Sequence, residues 1–176
     1  MRRLSHDSIS LPREWGGEGH MDKNSPRIFL KNAYSLELPI TGGWGYSVDD
    51  PVVIKKNDPA LPKEHSVDAP SIEHLFFEKR VYAELIVFRN ANDKYSGIKW
   101  DLIEQNLEFE GDRKFDCLRF QVSAFPDEDW NYLKDEWEQN HHFENDPEGQ
   151  DRHDAERLSR QCHYDTECWF DITSIF

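Results

Sequence analysis

The most convincing hairpin pattern of apolar and polar positions lies between residues 98 and 125. Apolar and polar residues alternate along much of residues 98–109 and 115–125, and the intervening Glu-Gly-Asp-Arg-Lys segment has the composition of a turn. A period of two is typical of a strand with one buried face. These residues therefore predict a β-hairpin.

The best single-strand prediction is a half-buried strand over residues 28–40, where apolar residues alternate with polar ones. Its apolar positions share one parity: Ile28, Leu30, Tyr34, Leu36, Leu38 and Ile40. A glycine-rich turn at residues 41–46 follows, since glycine permits a positive φ. A short apolar run at residues 52–54 comes next.

Helical spacing appears in three places. Residues 71–88 contain no Gly, Pro or Asn and carry apolar residues at intervals of three and four, which favours a helix. A second helix is predicted from Asp127, because acidic residues suit the positive end of the helix dipole. A third is predicted over residues 151–161, after a polar loop at 139–150. Alternation over residues 164–172 then predicts a closing strand.

Strands in runs, with helices inserted late, predict an α+β fold with a mainly antiparallel sheet and two or three helices. We assign residues 28–176 to a single domain, which suits a chain of 176 residues. Residues 1–27 show no sustained period and are predicted to be a flexible leader. Met21 is a possible true start within that leader.

The composition indicates a cellular compartment and the charge of possible partners. The 11 Phe, six Trp and six Tyr favour a folded core over disorder. No secretion signal or long apolar span appears, and three cysteines suit a reducing compartment, so a cytoplasmic location is expected. Residues 104–176 hold 20 Asp/Glu against seven Lys/Arg, a field that disfavours nucleic acid or membrane partners.

The acidic stretch at residues 127–156 carries 12 Asp/Glu and interleaved aromatic residues. Its simplest interpretation is a solvated surface. The functional hypothesis is a surface that docks a basic protein, because interface centres favour aromatics and complementary charge speeds association. The predicted partner-binding residues are Asp127, Glu128, Asp129, Asp135, Glu136 and Glu138.

Two alternatives come from other classes of function, although no catalytic motif is recognisable and no cofactor is expected. Trp44 and Tyr46 on the glycine-rich turn are candidates for stacking on a flat small ligand. His141, His142 and His153 lie among carboxylates, a set suited to a metal-assisted hydrolase. Neither spacing matches a known metal or nucleotide motif, so the interaction hypothesis is preferred.

Overall fold

The structure, a computed structural model, describes residues 2–3, 25–58 and 68–175. The predicted α+β class and the mostly antiparallel sheet are confirmed. Four α-helices occur in the described part of the chain, where two or three were expected. Met21 and most of the predicted leader lie outside the described residues. None of the helices in the described ranges is long and apolar enough to cross a membrane.

The helices are α1 (Pro26–Tyr34), α2 (Ala69–Tyr82), α3 (Asp127–Gln139) and α4 (Pro147–Arg160). A π-helical turn, Ala83–Val87, continues α2, and a short turn, His141–Phe143, precedes α4. The strands are β1 (Arg2–Arg3), β2 (Ile40–Gly42), β3 (Val52–Ile54), β4 (Tyr95–Glu110), β5 (Arg113–Pro126) and β6 (Cys162–Asp171).

The strand order in the sheet is β2-β3-β6-β5-β4. β2 pairs antiparallel with β3, β3 pairs parallel with β6, and the two-residue β1 also pairs parallel with β6. The predicted hairpin is confirmed as β4 and β5, and the closing strand as β6.

The chain divides into two compact units. The first consists of Ala83–Asp101 and Gln121–Thr166 with the N-terminal residues that include β1. The second consists of the described parts of Pro12–Tyr82, Leu102–Phe120 and Glu167–Phe176.

Aromatic side chains form the core of the second unit. Phe77 of α2 stacks on Phe120 of β5, with ring centroids 3.6 Å apart, and Phe76 meets Phe170 of β6 edge to face at 5.8 Å. All four rings are fully buried. Burial of such large apolar side chains accounts for much of the stability of a unit of this size.

The predicted strand over residues 28–40 is wrong, because its first part is the helix α1. Pro26 occupies the first turn, where its missing N–H is not needed, and Ser25 caps the helix by accepting from the amide of Ile28. The buried residues Pro26, Phe29 and Leu30 follow helical spacing. Ile28, which the alternating pattern had placed inside, is 45% exposed.

The helix predicted over residues 71–88 is confirmed as α2, and its last five residues widen into the π-helical turn. The helix predicted from Asp127 is α3. The third predicted helix starts four residues earlier than expected, because Asp146 caps α4 by accepting from the amide of Gly149 at 2.9 Å. Much of the predicted polar loop is therefore helical.

Candidate functional site

The first unit contains a helical hairpin formed by α3 and α4, and these two helices carry ten of the 35 Asp/Glu of the chain. Two contacts join the helices on one side: Arg160 pairs with Asp129, and His153 Nδ1 lies 2.7 Å from Glu136 Oε2. Residue numbers that rise on α3 while falling on α4 show that the helices are antiparallel. The hairpin is the region where the predicted docking surface can be tested residue by residue.

Three of the six predicted partner-binding carboxylates are engaged within the first unit. Asp127 accepts from the hydroxyl of Ser96 at 2.7 Å, and its own amide donates to the carbonyl of Lys94. Asp129 and Glu136 make the two contacts between the helices. These side chains hold the hairpin together and are half-buried.

The other three, Glu128, Asp135 and Glu138, are exposed. They lie seven and three residues apart along α3, a spacing that places them on one face of a helix. Tyr132, 45% exposed, occupies the same face between Glu128 and Asp135. We call Glu128, Asp135 and Glu138 the acidic stripe.

The turn between the helices brings His142 and His153 to one aromatic ring. His142 stacks on Trp137 at 5.6 Å, and His153 contacts both Trp137 and Phe143 at 5.4 Å. His141, His142 and Phe143 all have φ between 49° and 60°, so the chain makes a left-handed turn that L-residues rarely adopt. Burial of Phe143 in the hairpin offsets that cost.

His141, His142 and His153 do not form a metal site with neighbouring carboxylates. Within residues 2–3, 25–58 and 68–175, no three His, Cys, Asp or Glu side chains converge as metal ligands. His142 and His153 are used instead in packing and in the contact with Glu136.

The two aromatic side chains of the glycine-rich turn also pack against other protein groups. Trp44 contacts Phe29 at 5.4 Å and Phe76 at 6.1 Å. The guanidinium of Arg80 lies 4.0 Å from the ring centre of Tyr46. Because protein groups engage both Trp44 and Tyr46, we place the candidate site in the helical hairpin.

Arg80 explains the conformation of that turn. It is 1% exposed and donates to the carbonyls of Trp44, Gly45 and Glu167. Gly45 has φ +73°, and a Cβ there would lie 2.9 Å from the carbonyl of Trp169. Only glycine fits this close approach.

A groove of about 410 Å³ runs along the hairpin. The α3 side contributes residues at positions i, i+3, i+4 and i+7: Trp130, Leu133, Lys134 and Trp137. The α4 side contributes residues with the same spacing: Gln150, His153, Asp154 and Arg157. Two antiparallel helices with matched stripes thus form the walls of one concave site.

The indole of Trp130 is fixed by packing at the base of α3. It contacts Phe125 of β5 at 5.4 Å, and a Cβ on Gly97 would lie 2.5 Å from its ring. Trp137 is held by His142, Phe143 and His153 at the other end. Both indoles are therefore largely preorganised.

The charge inside the groove differs from that of the surrounding helices. Arg160, outside the groove, pairs with Asp129 and Glu156. Lys134 and Arg157, inside it, form no ion pair with a carboxylate in the part of the chain that the structure describes. Asp154 is the only carboxylate among the lining residues, so the groove is a locally cationic site on an acidic hairpin.

The second unit holds a different kind of charged group. Glu73 on α2 is 1% exposed, and neither of its carboxylate oxygens has a hydrogen-bond partner among the described residues. Burial raises the pKa of Glu73 to about 7, and repulsion from Asp116 and Asp68 adds to the shift. Asp116 accepts from Gln105 through one oxygen, while its other oxygen is unpartnered, and burial raises its pKa as well.

Sequence reasoning missed both the groove and Glu73. The repeated i, i+3, i+4, i+7 spacing at residues 130–137 and 150–157 was the available signal for the groove, although Trp130, Leu133 and Trp137 alone indicate only a buried face. Nothing in the sequence marks Glu73, since a Glu on a helix usually faces solvent.

No protein-family model, no curated protein and no solved structure gives a significant match to this chain. Its function therefore has to be inferred from its own geometry and chemistry.

Proposed function

We propose that this protein is an interaction module that docks a basic protein through the acidic stripe of α3. The observation that carries the proposal is the division among the α3 carboxylates. Asp127, Asp129 and Glu136 are engaged in internal contacts. Glu128, Asp135 and Glu138 are exposed, lie on one face of α3 and form no ion pair within the part of the chain that the structure describes.

Exposed carboxylates of this kind contribute little to folding but act strongly on a charged partner. Complementary charge raises the association rate and makes it sensitive to salt. Tyr132 supplies an exposed aromatic side chain in the middle of the stripe. Tyrosine is enriched among the interface residues that contribute most of the binding energy. A basic protein surface therefore fits this face better than an acidic or apolar one.

The test replaces Glu128, Asp135 and Glu138 together by Lys. Affinity capture at low salt, followed by titration with the purified captured protein, compares this variant with the wild type. We expect the captured protein to be basic and its affinity to fall at least about tenfold in the variant, since each exposed charge pair contributes up to about 1 kcal/mol. Thermal unfolding should change little, because all three side chains are exposed.

The matched control replaces Asp101 and Glu108 on β4 and Asp112 in the following turn by Lys, an equal change of net charge at exposed positions. Binding should survive in that control. Equal loss in both variants would mean that only the overall charge matters, and unchanged binding in the α3 variant would contradict the proposal. Asp129 and Glu136 are left intact, since their reversal would disturb the hairpin itself.

A further inference from the structure

The groove between α3 and α4 presents chemistry that the acidic stripe does not use. Its volume of about 410 Å³ is within the range of pockets that hold small organic ligands. Its lining includes the apolar side chains of Trp130, Leu133 and Trp137 of α3. A ligand that fills it must therefore be largely apolar.

The aromatic wall favours a flat ligand. Trp130 and Trp137 stand two helical turns apart, about 10 Å along α3. Each indole contacts a neighbouring ring that fixes it: Phe125 for Trp130, and Phe143 for Trp137. A planar ring placed against them gains contact area at little cost in side-chain entropy.

The charges of the lining residues select the sign of the ligand. Lys134 and Arg157 approach from opposite helices and have no carboxylate partner among the described residues. His153 is directed to Glu136, outside the set of lining residues. A single negative charge on the ligand would satisfy both cations, whereas a second would meet Asp154 and the acidic surface beyond.

We propose that the α3–α4 groove is a binding site for a planar aromatic compound that carries one negative charge. Its ring lies against the indoles of Trp130 and Trp137, and its anionic group lies between Lys134 and Arg157. This site does not depend on the proposed docking function, because the groove and the acidic stripe share no residue.

The experiment uses two dyes that differ by one charge. Anilinonaphthalene sulfonate is an anion with a planar naphthalene ring, and phenylnaphthylamine is its uncharged counterpart. Dye fluorescence, tryptophan quenching and calorimetric stoichiometry are measured on the full chain. We expect one sulfonate dye per chain, bound about tenfold more tightly than the neutral dye. No binding, or equal affinity for the two dyes, would overturn the proposal.

Single substitutions then locate the site. Lys134→Met and Arg157→Met should each lower the affinity for the sulfonate dye about fivefold and leave the affinity for the neutral dye unchanged. Asp154→Asn should tighten binding of the sulfonate dye and leave binding of the neutral dye unchanged, whereas partial unfolding would expose apolar surface to both dyes.

Arg152→Met is the matched control, since Arg152 is an exposed cation on α4 outside the groove. It removes the same charge and should leave both affinities unchanged. Equal weakening by Arg152→Met, or dye binding that Lys134→Met and Arg157→Met do not alter, would overturn the assignment. Near-ultraviolet circular dichroism of each variant confirms that folded protein is compared.

Discussion

The carboxylates of α2 and α3 differ in what surrounds them, and the difference shows what charge does in this protein. Glu73 on α2 is enclosed, lacks a hydrogen-bond partner and has a pKa raised to about 7. On α3, Glu136 meets His153, and Glu128 and Glu138 face solvent. The region with few acidic residues thus holds the most perturbed carboxylate.

Burial is the main cause of this difference, because moving a carboxylate out of water costs far more than placing it near other surface charges. The many carboxylates of α3 are tolerated since each is either hydrated or paired with a donor. The same substitution, Glu→Gln, should therefore have different effects at Glu73, Glu136 and the acidic stripe.

Glu73→Gln should produce the largest effect and should stabilise the protein. In the unfolded chain Glu73 ionises near its ordinary pKa of 4.5, and in the folded protein near 7. Below pH 4.5 it is protonated in both states and imposes no penalty. Between pH 4.5 and 7 stability falls with rising pH by about 1.4 kcal/mol per unit, and above pH 7 the penalty is constant at about 3 kcal/mol.

Urea unfolding of wild type and Glu73→Gln from pH 4 to 8.5 measures this difference. The two proteins should match near pH 4, and the variant should be about 2–3 kcal/mol more stable at pH 8. Asp116→Asn sharpens the test, because removing that neighbouring charge should lower the pKa of Glu73. The pH range in which stability falls should then shift to lower pH. A constant difference at every pH would show that Glu73 does not titrate as proposed.

The burial of Glu73 could not be predicted from the chain, and neither could the groove. Pattern rules place residues on faces, and they succeeded for β5, α2 and α3. For β4 they predicted the strand but not its burial, because residues 101–110 are all exposed, including the apolar Leu107 and Phe109. They do not say which faces meet. Residues 130–137 and 150–157 both show helical stripes, but only the antiparallel pairing of α3 and α4 makes them two walls of one groove.

The error at residues 28–40 has a local cause. Apolar residues there recur at even positions, which satisfies a strand, while Pro26, Phe29 and Leu30 satisfy a helix equally well. The Ser25-Pro26 pair decides between them, since it is a helix start. Half of the predicted partner-binding carboxylates make internal contacts instead. The sequence could not show this, because ion pairs such as Asp129 with Arg160 join residues far apart in sequence.

Glu136→Gln should have a smaller effect, of opposite sign to Glu73→Gln. Glu136 is partly exposed and meets the buried ring nitrogen of His153 at 2.7 Å. An amide replaces a charge-assisted hydrogen bond by a neutral one, so we expect a loss of about 0.5–1.5 kcal/mol at neutral pH. Urea unfolding measures it, and a gain in stability would mean that the carboxylate is not stabilised by His153.

The acidic stripe should give the smallest effects, and their signs should differ between its ends. Glu128 lies in the first turn of α3, where a negative charge is favourable, and Glu138 lies in the last turn, where it is not. Glu128→Gln should therefore lose a few tenths of a kcal/mol, and Glu138→Gln should gain as much. The double variant should unfold like wild type yet bind the basic partner more weakly. If binding and stability fell together, these carboxylates would have a structural role. The exposed carboxylates of α3 would then affect folding, as the buried Glu73 does.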